Sequence, residues 1–236
     1  MGIEPADRGA LPFDGLASAY DAWFEEEGKL AFAIEVRAFQ EVLPSLPKPW
    51  LEIGAGSGRF AQTLGIERGL DPSIKMLEIA KRRGIMAYLG KGEQLPFMDV
   101  SFGAIFLITT LCFCDSPLDV LREAHRTMVP CGRIALGMVL KESPWGKFYQ
   151  QKRKKGRSLY KYAFFEYNEL VELLEQAGFS VEKVISALFQ KPGTINRREP
   201  DRVEHMESPR SGYSADAGFT VIVACKHVSQ GENTAI

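Results

Sequence analysis

Residues 49–60 read PWLEIGAGSGRF, with three glycines in five positions after an apolar run. Gly54, Gly56 and Gly58 stand between a run that reads as a strand and a pattern that reads as a helix. Such a turn leaves backbone N–H groups bare and tolerates positive φ, so it serves as a ligand cradle. A dinucleotide cradle needs G-x-G-x-x-G. Here the spacing is G-x-G-x-G, and Arg59 stands where the third required glycine belongs. Glu52, two residues before the first glycine, sharpens the choice. A carboxylate there repels a pyrophosphate and favours a ligand that carries cations. Asp71 follows at the end of the next apolar run, at the distance where a ribose-binding carboxylate is expected. Its competing reading is a helix N-terminal carboxylate ahead of PSIKMLEIA. S-adenosylmethionine carries an ammonium and a sulfonium and has no phosphate, so it meets both conditions. A nicotinamide oxidoreductase is disfavoured by Glu52 and Arg59.

These residues need a frame. Short apolar runs PWLEI, IERGL, IMAYL, FGAIFLI and RIALGMVL alternate with helical stretches RFAQTL, SIKMLEIAKRR and PLDVLREAHRTM. That rhythm predicts a parallel sheet with helices on both faces. FGAIFLI is the most apolar run and belongs near the sheet centre. Ser73 reads as a helix cap, and VPCG after Met128 as a helix stop. Beyond residue 140 a basic, aromatic segment precedes the helix NELVELLEQAG, and FSVEKVISAL and GFTVIVACK follow as an antiparallel pair. The expected fold is therefore α/β and Rossmann-like: a seven-stranded, mostly parallel sheet with one antiparallel strand. It is read as a single domain: a helical cap at 13–45, a cofactor-binding core at 46–140, a lid insertion after strand five at 141–165, and the rest of the sheet at 166–226. Residues 1–12 and 227–236 read as unstructured.

LEIGAGSGRF, GLDPSIKMLEIAKRR, GKGEQLPFMDVSFGAIF, VLREAHRTMVPCGRIAL and FDGLASAYDAWF, in that order of motifs with the last at the N-terminus, resemble the class I S-adenosylmethionine-dependent methyltransferases. Within that class the chain is similar to the small-molecule branch of ubiquinone and menaquinone biosynthesis methyltransferases. The resemblance covers about residues 13–140 and, more loosely, 163–226. It implies that the backbone at Gly54, Ala55, Gly56 and Gly58 faces the methionine portion of the cofactor and that Glu52 orients its amino group. It implies Asp71 on the ribose, Pro72 and Ser73 beside the adenine, and Gly92 and Glu93 at the adenine edge. Ile108 and Thr109 would line the methionine end, and Tyr20 would lie near cofactor and substrate. S-adenosylhomocysteine would be the product and a small molecule the methyl acceptor. Departures from the family pattern are Lys91 in place of an acidic residue, Gly103, Cys131, and Cys112–Phe113 in place of a His-containing pair.

Composition bounds the rest. The net charge is −1, which does not suit a dedicated nucleic-acid binder. No apolar stretch is long enough to span a bilayer and the N-terminus lacks a signal-peptide pattern, so a cytoplasmic location is expected. Cys112, Cys114, Cys131 and Cys225 lack metal-ligand spacing and read as reduced thiols; no metal is expected. His125 reads as a surface residue, and His205, Tyr162, Glu166 and Tyr20 are open candidates for a base, so no catalytic residue is assigned. The segment 147–161 holds seven basic residues and no acidic one, interleaved with aromatics. It reads as a solvated flap or as a substrate lid, and it leaves an RNA-directed methyltransferase or a partner-dependent binding module open as alternatives. Oligomeric state is not legible.

Overall fold

The computed structural model describes residues 11–154, 164–192 and 208–227. Residues 1–10 and 228–236 of the terminal segments, and His205 and Tyr162, lie outside them. Leu11 and Pro12 instead open a short helix, α1 (Leu11–Asp14), followed by α2 (Ala17–Trp23) and α3 (Lys29–Gln40).

One sheet organises the described residues. Its strands are β1 (Trp50–Ile53), β2 (Arg68–Asp71), β3 (Met86–Leu89), β4 (Phe102–Ile108), β5 (Met128–Met138), β6 (Phe179–Ala187), β7 (Arg210–Ser211) and β8 (Phe219–Lys226). The spatial order is β3-β2-β1-β4-β5-β8-β6-β7. The first five are mutually parallel, and β8 runs antiparallel to both β5 and β6. Among the described residues eight strands are present where seven were expected. The extra one, β7, has two residues and pairs with Ile185 and Ser186 at the sheet edge, too short to leave an alternation signal.

Alternation along the strands sorts the core into two layers. Ala104, Phe106, Ile108, Ala135, Phe219 and Val221 face α3 and α4 (Arg59–Leu64), together with Ala80 of α5 (Ile74–Arg82). Ile105, Leu107, Ile134, Leu136 and Ile222 face α6 (Pro117–Thr127) and α8 (Tyr167–Gln176). All seven residues of β4 are buried, which explains its continuous apolar run.

Two local readings need correction, and the start of the basic segment lies within the described residues. VPCG does not form a stop beyond α6. The helix ends at Thr127, and β5 starts at Met128 and runs through Pro130, with Cys131 at φ 58° in a sheet irregularity. His125 is not a surface residue. It is half-buried with its ring edge-on to Phe179, and burial holds its pKa below the ordinary value. The basic segment begins as a helix, α7 (Pro144–Lys154), anchored by Trp145, which is buried and donates its ring N–H to the Gln190 carbonyl at 2.7 Å.

Candidate cofactor site

Parallel strands β1, β2 and β4 all end at one edge of the sheet, where strand order reverses between β1 and β4. Ligands of open α/β sheets bind at such a point. A cavity opens there, and its wall includes Tyr20, Glu52, Gly54, Ala55, Gly56, Asp71, Pro72, Gly92, Glu93, Ile108 and Thr109. Eleven of the thirteen expected site residues thus share one wall, across four strand ends and the α2 cap.

The turn between β1 and α4 is built by its glycines. Gly54, Gly56 and Gly58 all have positive φ, at 72°, 53° and 76°. A Cβ on Gly56 would meet nothing within 4 Å, because that side of the loop is open cavity. Gly58 differs. It is not on the wall: its Cβ would sit 3.0 Å from Ala80 Cβ and 3.1 Å from Ile85, so its bareness lets α4 pack on α5. Ser73 is also off the wall. It is buried, its Oγ accepts the Met76 amide as the α5 cap, and its hydroxyl donates to Asp14.

Asp71 ties these motifs together. Its Oδ2 accepts the Gly56 amide at 2.9 Å and its Oδ1 accepts the Ser73 amide at 2.8 Å. Burial pushes its pKa up to about 6; the Ser73 and Gly56 amides pull it down and Asp14 adds to the rise. The geometry shows the carboxylate bound to the backbone on both sides of it and placed on the cavity wall. The carboxylate faces the cavity and also serves the backbone ahead of α5.

Glu52 is 2% exposed, and its Oε2 has no hydrogen-bond partner. Burial, and next the charge of Asp71, hold its pKa well above the ordinary carboxylate range, while the Ala61 amide in the first turn of α4 opposes the shift. A buried carboxyl with an orphan oxygen on a cavity wall is expensive unless a ligand donates to it. Cations on that wall are few. Arg59 is bonded to Asp21 and Glu25, and Lys91 lies 3.6 Å from Asp115. Glu93 uses Oε1 to accept the Asp115 amide at 2.9 Å, closing the loop between β4 and α6 over the wall. Thr109 has φ 51°, a strained conformation for a β-branched residue, directly at the end of β4.

The spacing of motifs did not reveal the latch that holds the cap. Asp21 of α2 accepts Arg59 Nε at 2.9 Å, Arg83 Nη2 at 2.7 Å and the Ser57 hydroxyl at 2.6 Å. Burial alone would raise the Asp21 pKa, but these donors outweigh it and hold the carboxyl far below its ordinary value. Arg59, read from sequence only as a missing glycine, is the residue that pins α2 over the loop. Tyr20 and Phe24, four apart on one face of α2, thereby become cavity wall. Glu166, an open base candidate, instead caps α8 through a box with Glu169 and pairs with Lys141. Among the described residues of 141–165, none lines the cavity. Burial pushes Cys112 up to about 12, so it is a protonated thiol at neutral pH.

A doubly wound sheet with a glycine turn and a buried carboxyl at its switch point has the architecture of an α/β domain that binds an adenosyl cofactor. Residues 51–136 match the methyltransferase domain family. A solved Thermotoga maritima S-adenosylmethionine-dependent methyltransferase, described as a possible histamine N-methyltransferase, is 33% identical, with 91% of this chain and 98% of that chain covered at TM-score 0.78. An uncharacterized protein of Mycobacterium tuberculosis is 36% identical over 210 residues, 88% of this chain and 71% of that protein. An uncharacterized protein of Methanocaldococcus jannaschii is 34% identical over 214 residues, 91% and 98%. The chain belongs to the class I S-adenosylmethionine-dependent methyltransferases, and S-adenosylmethionine is its cofactor.

The wall fits that cofactor on observations of its own. The orphan Glu52 Oε2 calls for a donor, and the open space at Gly56 is where a Cβ would intrude. No helix among the described residues is long and apolar enough to cross a membrane.

Proposed function

We propose that the protein transfers a methyl group from S-adenosylmethionine to a small-molecule acceptor by in-line displacement. The orphan, buried Glu52 oxygen carries this reading, because it selects a cationic ligand at the glycine turn. When bound, the cofactor supplies an activated methyl group on a positively charged sulfur. Glu52 would accept from the amino group, Asp71 from the ribose, and the wall at Gly92 and Glu93 would border the adenine. Ile108, Thr109 and Tyr20 would stand at the methionine end, where the protein's task is to align the acceptor and exclude water. Aromatic rings make that end dry: Phe13 meets Tyr20 and Phe113 edge-on at 6.0 and 5.2 Å, and Tyr20 meets Phe24 at 5.3 Å. A dry, apolar mouth suits a compact acceptor. The Thermotoga relative's description as a possible histamine N-methyltransferase supports the same class.

The test is to incubate the protein with methyl-labelled S-adenosylmethionine and a cell extract separated into a low-mass fraction and an RNA fraction. Label in the low-mass fraction is expected. Label confined to RNA would overturn the acceptor class.

A further inference from the structure

Lys91 is the wrong kind of group for the place it holds. It stands on the cavity wall beside Gly92 and Glu93, where the adenine would lie. Adenine presents an exocyclic amine whose two N–H groups need acceptors, whereas an ammonium offers three donors and no acceptor. A lysine there faces the amine donor to donor, which costs affinity unless an acceptor stands close by.

Four carboxylates line the cavity among the described residues: Glu52, Asp71, Glu93 and Asp115. Three are engaged elsewhere. Glu52 is buried beside the Ala61 amide of α4 at the glycine turn. Asp71 holds the Gly56 and Ser73 amides, one on each oxygen. Glu93 accepts the Asp115 and Ser116 amides on Oε1, at 2.9 and 3.4 Å. Asp115 differs. No hydrogen bond engages its carboxylate among the described residues, and its Oδ2 lies 3.6 Å from Lys91 Nζ.

The backbone fixes where that carboxylate stands. A Cβ on Gly92 would meet Ile53 at 3.0 Å and Val120 at 3.1 Å, so the loop after β3 that carries Lys91 lies flush against β1 and α6. From the loop after β4, Thr110, Phe113, Cys114 and Asp115 are wall as well. The two amide bonds to Glu93 tie one loop to the other. Lys91, Glu93 and Asp115 thereby form one unit: Glu93 sets the Asp115 backbone, and the Lys91 ammonium draws its side chain toward the loop after β3.

Resting on the placement of the adenine in the reading above, we propose that Asp115 accepts the exocyclic amine of the adenine and that Lys91, acting through Asp115, is its positioning residue. The site thereby selects the cofactor by its base, through a carboxylate that the loop after β4 supplies. Lys91 and Asp115 are 40% and 57% exposed, so their ion pair contributes little to the fold by itself. A purine bound beside the carboxylate excludes water from it, which strengthens the hydrogen bond. Asp115 also stands two residues ahead of Pro117, the first residue of α6, where a negative charge suits the helix dipole. That role is blind to which purine is bound, and this separates the two in an experiment.

The test is calorimetric titration of S-adenosylhomocysteine and of its 6-deamino analogue, in which a hydrogen replaces the adenine amino group. Both go into the wild type, Asp115→Ala and Lys91→Met. The wild type is expected to prefer S-adenosylhomocysteine by at least about tenfold. Asp115→Ala should bring that preference to about one, by weakening S-adenosylhomocysteine and leaving the analogue unchanged, and it should melt with the wild type. Lys91→Met should show an intermediate preference. Equal binding of the two ligands by the wild type would overturn the assignment. So would an Asp115→Ala variant that keeps the wild-type preference, even if both affinities fall together. A Lys91→Met preference at or above that of the wild type would overturn the positioning role. The wild-type arm needs no variant to fold. Failure of S-adenosylhomocysteine to bind the wild type would overturn the cofactor reading itself, and this assignment with it.

Discussion

The Gly56 amide donates to Asp71 Oδ2 at 2.9 Å, which joins the glycine turn after β1 to the end of β2 through a single hydrogen bond. One carboxylate thus shapes the loop and faces the cavity. Asp71→Ala removes both functions. S-adenosylhomocysteine affinity is expected to fall by about a hundredfold or more, that is about 2.7 kcal/mol. Cooperative unfolding should survive, because the sheet core does not depend on this residue. Calorimetry and a thermal melt on the same sample check the two halves.

Two glycines of one turn should separate binding from packing. Gly56→Val places a branched side chain into open cavity at φ 53°, so cofactor binding should be lost. Gly58→Ala puts its Cβ 3.0 Å from Ala80, so its main cost should be stability, about 1–3 kcal/mol. Binding and melting data on both variants should show opposite balances.

The Asp21 latch predicts a mobile cap when it is broken. Arg59→Met leaves the half-buried Asp21 with fewer donors and should cost about 2–3 kcal/mol. It should also raise the KM for S-adenosylmethionine, because Tyr20 and Phe24 are no longer held on the wall. Limited proteolysis should then cut within residues 15–28 faster than in the wild type.

Buried carboxyls fix the sign of the pH response without ligand. Glu35 is raised from 4.5 to about 8 and Asp71 from 3.8 to about 6. The folded state holds these protons more tightly than the unfolded chain. Their stabilising contribution is complete below about pH 4 and is lost as pH rises, through 6 for Asp71 and through 8 for Glu35. Each group adds a slope of up to about 1.4 kcal/mol per pH unit within its window. Denaturant melts should therefore show stability falling between pH 6 and 8, and Glu35→Gln should flatten that fall.

Much of the frame was legible because its signals are local. β4 and α4 coincide with the FGAIFLI and RFAQTL runs, since burial on both faces and helical periodicity write themselves into consecutive residues. Most of the wall could be named because strand-end residues sit next to the motifs that mark the strands. What escaped were relationships across sequence distance. Arg59 meets Asp21 from 38 positions away, and neither residue type announces a partner. Ser73 was legible as the α5 cap, and it is the cap that takes it off the cavity wall, while Gly58 was placed on the wall by adjacency and instead serves the helix packing. Glu35 sits in KLAFAIEVRAFQ beside Lys29 and Arg37, and nothing in that pattern marks it, alone of the three, as buried.

The choice between a cationic adenosyl compound and a dinucleotide comes down to Glu52. Titrating S-adenosylmethionine and NAD into the wild type and into Glu52→Gln by calorimetry tests it directly. The wild type should bind S-adenosylmethionine and not NAD, and Glu52→Gln should weaken S-adenosylmethionine by about tenfold or more. Tight NAD binding, or a Glu52→Gln affinity equal to that of the wild type, would contradict the account.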